Sequence, residues 1–405
     1  MLPLYAWSIH QKRVFLRADL NIPFHDGVIQ SDFRLKRILP TIDLLLEKGA
    51  TILLATHLGR PKEYDPRYST KPIAEWLQKR EYNAQFIPFE PTGYLVPTIR
   101  HEGGVIYVLD NLRFFPGETA CDPLFANLLH SYADYYVMDA FGVIHKEAAS
   151  TTLLSGLYPT THRSVGPLIA SEFNGLTPLR NIEKPLLTLL GGSKARTKLP
   201  LLNALIHHRR HLSVFVGPAL VFTLLKSQHQ AVGASLVDDS MITIAQDIMQ
   251  AFQNGIFQLY LPQDYISANK TLTGALSEHS ANKFTSDLLG ITIGPQTLST
   301  LEPIIKTAPL IFCNAAMGLP ERPQTMEPLK ELIAMITSSN GYTVAAGGTT
   351  LQTAQEMESL DDWSFCSTGG SAALAVLANE PLPGLLHFPQ FETQPAEANQ
   401  SSTVK

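Results

Sequence analysis

Short runs of branched and aromatic residues alternate along this chain with stretches whose apolar residues recur at helical spacing, the signature of parallel sheets wrapped by helices. The run RVFLRADL predicts a first strand. A turn at Asp26–Gly27 follows, and DFRLKRILPTIDLLLEKGA then sets Leu35, Ile38, Leu39, Ile42, Leu45 and Leu46 on one helical face, with Gly49 as the stop. Strand TILLA comes at once. Further strands are predicted at Val105–Leu109 and Tyr135–Met138, with a helix over Leu124–Ser131 between them.

From about Pro185 the pattern restarts: strand PLLTLL, helix Leu199–Leu205, strand SVFV and helix Leu220–Ser227. Later strands are predicted at Phe257–Leu261, Leu310–Cys313, Tyr342–Ala346 and Trp363–Ser367, most of them followed by glycine-containing turns. The segment from Gly166 to about Ile182 reads as a connecting helix, and the closing FETQPAEANQSSTVK as a polar, frayed tail. With 405 residues the chain is too long for one typical core, so two domains are expected.

Composition narrows the partners. At 17% charged residues and a formal charge of −5, nothing points to nucleic acid or an anionic membrane, and any basic site is local. Cys121, Cys313 and Cys366 are odd in number and outside CxxC spacing, which argues for a reducing cytosol and against a disulfide frame or zinc site. The opening MLPLYAWSIHQKRV has no basic segment followed by an apolar one, and no apolar run is long enough to span a bilayer. A cytoplasmic enzyme is the expectation.

In open parallel sheets ligands lie outside the carboxyl ends of the strands. In the first half those ends carry RADLNIP (Arg17, Asp19, Asn21), THLGRP (His57, Arg60), DNLRF (Arg113) and DAFGVIHK (His145, Lys146), and Arg34 opens the first helix. Any one of these cations alone is better read as a solvated surface group. Repeated at the same structural position, they fit a small, highly anionic substrate. The second half differs. LLGGSKARTK puts Lys194 and Lys198 at i, i+4 on the opening turn of a helix, where both ammonium groups reach one phosphate chain. FVGPAL, FCNAAMG, AAGGTT and STGGSA repeat the strand–turn–helix pattern, and no Walker A or GxGxxG fingerprint is present. A single glycine turn is best explained by the tight corner it makes; four of them suggest a nucleotide phosphate site.

These motifs make the chain resemble the phosphoglycerate kinase family from end to end: RxDxNxP at Arg17–Pro23, HLGRP at His57–Pro61, NLRFxPGE at Asn111–Glu118, DAFG at Asp139–Gly142, GGxKxxxK at Gly191–Lys198, IGPxT at Ile293–Thr297 and STGG at Ser367–Gly370. The resemblance implies an α/β fold of two Rossmann-like, doubly wound parallel-sheet domains joined by a helix and hinge. They are a 3-phosphoglycerate-binding domain over residues 1–165, a connecting helix over 166–182 and a nucleotide-binding domain over 183–388, with the polar tail at 389–405. It implies reversible phosphoryl transfer between 1,3-bisphosphoglycerate with ADP and 3-phosphoglycerate with ATP, in glycolysis, with Mg2+ accompanying the nucleotide, hinge closure and a monomeric state. Carried over by motif, Asp19, Asn21, Arg34, His57, Arg60 and Arg113 match the substrate residues, with Lys146 where the family has arginine. Lys194, Lys198, Asn314, Glu321 and the turn of Gly347, Gly348, Thr349 and Thr350 match the nucleotide contacts. Arg34, Lys198 and the N–H groups of Gly369 and Gly370 are expected to stabilise the transferring group. No general base is required, since the attacking carboxylate is already ionised.

The departures fall on one side. Where the family pattern has GGGDT this chain has Gly347-Gly348-Thr349-Thr350 after Ala346, so Thr349 replaces the metal-binding aspartate and offers only a hydroxyl. Thr197 replaces a second aspartate, Pro218 and Ala219 stand at expected glycines, and NGPMG is Asn314-Ala315-Ala316-Met317-Gly318. Two further readings follow: a degenerate homologue that binds ligand without useful turnover as a regulatory protein, and a two-domain solute-binding protein, which the missing export signal disfavours.

Overall fold

The computed structural model describes residues 3–25, 28–92, 103–281, 283 and 287–391. The predicted Asp26–Gly27 turn and nearly all of the polar tail lie outside them. The described chain forms two compact units. The first holds Met1–Gly175 with Ser367–Ala372 and Leu382–Phe391; the second holds Leu176–Cys366 with Ala373–Pro381. Two stretches of the sequence's second half therefore pack with the first unit.

The first unit is built on a six-stranded parallel sheet in the order Ala84–Ile87, Ile106–Leu109, Thr51–Ala55, Arg13–Ala18, Tyr135–Asp139, Arg163–Val165. Thr51–Ala55 and Ile106–Leu109 are buried along their whole length, as strands covered on both faces must be, and so read as continuous apolar runs. The Phe33–Glu47 helix buries Leu35, Ile38, Ile42 and Leu45, with Leu39 and Leu46 partly buried on the same core, so the expected face is the one that packs. Gly49 ends it at φ +72°, a conformation that L side chains avoid. Ala84–Ile87 and Arg163–Val165 carry no alternation or apolar run long enough to announce them in the sequence.

The second unit has a six-stranded sheet ordered Gln258–Tyr260, Leu212–Val216, Leu186–Leu190, Leu310–Asn314, Tyr342–Ala346, Phe365–Ser367; the pairings from Gln258–Tyr260 to Tyr342–Ala346 are parallel. Tyr342–Ala346 and the Leu220–Ser227 helix fall at the predicted bounds, whereas the helix predicted at Leu199–Leu205 runs over Ala195–His208. A small antiparallel sheet of Ser277–Ser280, Asp264–Asn269 and Leu288–Ile293 was not foreseen; its Ser277–Ser280 edge is polar and half-exposed.

Both units use one device to start a helix. Asp139, at the end of its strand, accepts the Ile169 N–H at 3.0 Å on the opening turn of the Pro167–Leu176 helix, and Gly166 is forced because a Cβ there would strike the carboxylate. In the second unit Asp264 accepts the N–H groups of Gln296 (2.8 Å) and Thr297 (2.9 Å) and the Thr297 hydroxyl (2.5 Å) at the head of the Pro295–Thr307 helix, and Gly294 is forced in the same way. The IGPxT motif is thus a capping arrangement around a buried carboxylate. Asp264→Ala is expected to cost about 2–3 kcal/mol by leaving buried donors unpaired. Denaturant titration checks this, and an unchanged midpoint would show that the cap is dispensable.

Candidate active site

Each doubly wound sheet has one place where neighbouring strands send the chain in opposite directions, and both candidate sites sit there. In the first unit it lies between Arg13–Ala18 and Tyr135–Asp139. Asp19 follows the first of these strands, and a Cβ on Gly142, after the second, would collide with its carboxylate. Arg34 donates to Asp19 Oδ2 at 2.7 Å, to the Asn21 carbonyl at 3.2 Å and to the Thr368 carbonyl at 2.6 Å, so three acceptors fix the guanidinium. Burial alone would raise the Asp19 pKa, but Arg34 and Arg17, with the Asn21 N–H, overcome it and hold the carboxyl below its ordinary range. His57 is buried; desolvation, reinforced by Arg113, Arg17 and Arg34, keeps its pKa well below 6.5 against the pull of Asp19. It is therefore a neutral imidazole at pH 7, and its 3.9 Å approach to Asp19 is not an ion pair.

Asn21 and Arg113 meet at one glycine. The Asn21 side chain accepts the Gly59 N–H at 2.8 Å, and Arg113 donates to the Gly59 carbonyl, with its backbone N–H on Asn111 Oδ1 at 3.0 Å. Arg60, exposed on the next residue, lies close enough to Arg113 to lower its pKa, after burial and Arg17. Arg113 and Lys146 line one cavity together with Arg17, His57, Glu118 and Thr151. The six predicted substrate residues and Lys146 thus come together on one edge of one sheet.

Arg17 does not join them as a free cation. At 2% exposure it gives Nε to Ser150 Oγ at 2.7 Å and faces Glu118 at 3.7 Å, while Glu118 takes the Ser150 hydroxyl (2.6 Å) and N–H (2.9 Å). It is a wall of the cavity, not a reaching arm. Glu118 had a signal in the sequence, as the last residue of NLRFxPGE; Ser150, in a π-helical stretch Ala149–Leu153, had none. Glu172 was also missed. It is buried and accepts the Thr368 N–H (2.7 Å) and hydroxyl (2.6 Å), holding the turn whose carbonyl receives Arg34. On that turn Gly369 and Gly370 are buried, and the Gly369 N–H already donates to Ser367 Oγ at 3.3 Å. A Cβ on Gly369 would sit 2.8 Å from Gly142 Cα.

In the second unit the corresponding place lies between Leu186–Leu190 and Leu310–Asn314. Lys198 is 5% exposed, and its ammonium donates to the Gly191 carbonyl (2.5 Å), the Asn314 carbonyl (3.0 Å) and Asn314 Oδ1 (3.0 Å). Burial, then repulsion from Lys194, pushes its pKa down to about 7. Lys194 is exposed at the N-cap of the same helix. Asn314 ties three turns together: beyond Lys198 and Gly191, its Oδ1 is where a Cβ on Gly347 would reach, at 2.7 Å, and Gly347 adopts φ +91°. Asn314 Nδ2 is buried with no partner. Gly348 is exposed over open space, and Thr349 is half-exposed in a cavity with Pro320, Met326 and Gln352. Thr350 turns inward, its hydroxyl on the Ala315 carbonyl at 3.4 Å, and Glu321 is exposed beyond Pro320. The expected nucleotide residues therefore divide: Lys194, Gly348, Thr349 and Glu321 face outward, while Lys198, Asn314 and Thr350 are buried beneath them.

Among known proteins, the family model for phosphoglycerate kinase matches residues 4–380. A phosphoglycerate kinase of Legionella pneumophila is 34% identical over 382 residues, 92% of this chain and 93% of its own length, and that of Campylobacter hominis is 31% identical over 380 residues, with the same coverage. Among solved structures, phosphoglycerate kinase from Pyrococcus horikoshii superposes with a TM-score of 0.79 at 26% identity, covering 95% of this chain and 98% of the other. That from Coxiella burnetii gives 0.73 at 29%, covering 96% and 99%. The chain belongs to the phosphoglycerate kinase family, and thus to the phosphotransferases.

One departure from the family pattern leaves a mark on the backbone. Ala219 stands at an expected glycine yet keeps φ +64° and ψ −53°, a conformation suited to glycine. An alanine there is strained by about 1–2 kcal/mol. Ala219→Gly is expected to raise stability by about 1 kcal/mol in thermal or denaturant unfolding; a destabilised variant would contradict the strain.

Proposed function

We propose that this protein catalyses reversible phosphoryl transfer between ATP and the carboxylate of 3-phosphoglycerate, giving ADP and 1,3-bisphosphoglycerate. The observation that carries the reading is the first unit's strand-end cluster, in which Arg34, Arg60, Arg113 and Lys146 gather near a neutral His57, with the carboxylates of Asp19 and Glu118 engaged and Glu147 exposed beside Lys146. Such an edge suits a small molecule with a phosphate and a carboxylate, and the arginines suit bidentate oxyanion contacts. The second unit takes the nucleotide: Lys194 and the Gly347–Gly348 turn meet the phosphates, and Glu321 the sugar.

The transfer breaks the bond between the terminal phosphorus of ATP and its bridging oxygen and forms one from that phosphorus to a carboxylate oxygen. No proton moves, because the acceptor is already ionised. The transition state spreads negative charge over the transferring group, so the protein contributes position and positive charge. Arg34 suits that role because Asp19, the Asn21 carbonyl and the Thr368 carbonyl hold its guanidinium in one orientation. Lys198 reaches a phosphate only by leaving its three oxygens, which makes its contribution one of the transition state more than of ground-state binding. Magnesium enters with the nucleotide as part of the substrate. The same reading makes the protein a cytoplasmic monomer serving glycolysis.

The test is ATP-dependent formation of 1,3-bisphosphoglycerate by the purified protein, with calorimetry of 3-phosphoglycerate binding. Arg34→Ala or Arg113→Ala is expected to weaken 3-phosphoglycerate by about 1–3 kcal/mol, the scale of a lost charge-assisted contact. Lys198→Ala should lower kcat more than it raises the nucleotide KM. Binding of 3-phosphoglycerate without any turnover would favour the ligand-binding, non-catalytic reading, and no binding at all would end both.

A further inference from the structure

The turns that build the second unit's phosphate site are rich in donors and poor in anions. GGSKARTK, NAAMG and AGGTT contain Lys194, Arg196 and Lys198 and not one carboxylate. Of the carboxylates that line the cavities beside them, Asp238 and Glu356 already accept side-chain hydrogen bonds and Asp239 is exposed to solvent. Asp238, on the wall of a cavity shared with Ser193 and Arg196, takes Arg196 Nε at 3.0 Å and the Ser240 hydroxyl at 2.6 Å. Glu356, in the cavity with Thr349, accepts from Gln352 and lies seven residues along the Gly348–Glu356 helix from Thr349, a rise of about 10 Å. Among the described residues no group of three or more His, Cys, Asp or Glu side chains could hold a metal.

The remaining oxygen donors are neutral, and the buried ones are engaged. Asn314 Oδ1 carries the Lys198 ammonium, and the Thr350 hydroxyl is turned to the Ala315 carbonyl. Thr349 is left with a single uncharged hydroxyl. The orphaned group is of the opposite kind: Asn314 Nδ2 is a buried N–H donor with no acceptor, 5% exposed, beside the Lys198 ammonium. An unpaired buried donor calls for an acceptor, which a phosphate oxygen supplies and a metal ion does not. A magnesium ion calls for hard, preferably charged oxygens. The residues present therefore fit a polyphosphate and do not fit a protein-held divalent metal.

We propose that this site recognises the nucleotide's phosphate chain through the protein's own cations and N–H donors, so that magnesium carried on the nucleotide does not tighten its binding. The inference rests on the nucleotide reading of the second unit. Its physical basis is simple. Magnesium on the phosphates cancels part of the charge that Lys194 attracts, and the turns give it no carboxylate in return.

Calorimetry with ADP, and separately with inorganic tripolyphosphate, run in EDTA and in excess MgCl2, decides the point. The dissociation constant is expected to be equal or larger with magnesium. Lys194→Met should weaken metal-free binding by about tenfold, the scale of one lost charge-assisted contact. Thr349→Asp should reverse the sign, with metal-free binding weakened by carboxylate repulsion and magnesium then tightening it by about tenfold or more. Magnesium that tightens the parent, or a Thr349→Asp variant as indifferent to it as the parent, would overturn the inference while leaving the nucleotide reading intact. Failure of ADP and tripolyphosphate to bind under either condition would overturn both.

Discussion

In a parallel sheet every strand leaves by the same edge, and at one position neighbouring strands send the chain to opposite sides, opening a crevice that only turn residues can line. Both units of this protein are organised around that constraint, and each closes its crevice with one buried charged contact. In the first, Asp19 lies against Gly142 and carries Arg34 at 2.7 Å. In the second, Lys198 lies on the carbonyls of Gly191 and Asn314, which end the adjacent strands. Charges buried in this way are costly unless paired or fully hydrogen-bonded, and the two units choose differently. The first uses opposite charge. The second offers neutral dipoles and no counter-charge, so burial, reinforced by Lys194, holds its lysine at a pKa of about 7.

That difference sets the chemistry at each edge. With Asp19 and Glu118 already committed inside the first unit, the outward face carries Arg60, Arg113 and Lys146 against one exposed carboxylate, Glu147, and a neutral His57 adds no charge. Arg17 shows how the distinction is made. It sits two residues before Asp19, on the strand that Asp19 follows, yet Ser150 and Glu118 turn it into the core. In the second unit the turns supply N–H donors and ammonium groups to whatever binds, and Asn314 links three of them. Replacing it would disturb the Lys198 ammonium and the Gly347 turn together.

The layered α/β plan and the core helix faces were legible because two-sided burial writes itself as continuous apolar runs and helical spacing. The Ala84–Ile87 and Arg163–Val165 strands and the antiparallel sheet around Asp264–Asn269 were not. They are short or polar, and their pairing is decided by partners far away in sequence. At the sites, residue types and spacing showed which turns carry charge. Orientation was hidden. Nothing local to Arg17 distinguishes it from Arg113, because its fate depends on Ser150, 133 residues away. Likewise GGTT gives no sign that Thr350 turns in while Thr349 stays out, a difference made by the Ala315 carbonyl. The IGPxT motif, useful for recognising the family, owes its residues to a capped helix around Asp264.

The central claim is that one unit holds the acid and the other the nucleotide, each at its own strand-end crevice. Backbone amide shift mapping of the deuterated protein, titrated with 3-phosphoglycerate alone and with ADP alone, tests it most directly. The account predicts that 3-phosphoglycerate moves the amides of Asp19, Asn21, Gly59, Arg113 and Lys146, and that ADP moves those of Gly191 to Lys198, Asn314 and Gly347 to Thr350. Both ligands shifting the same set, or ADP perturbing the Asp19 and Arg113 turns while leaving Gly347 and Gly348 unmoved, would contradict it.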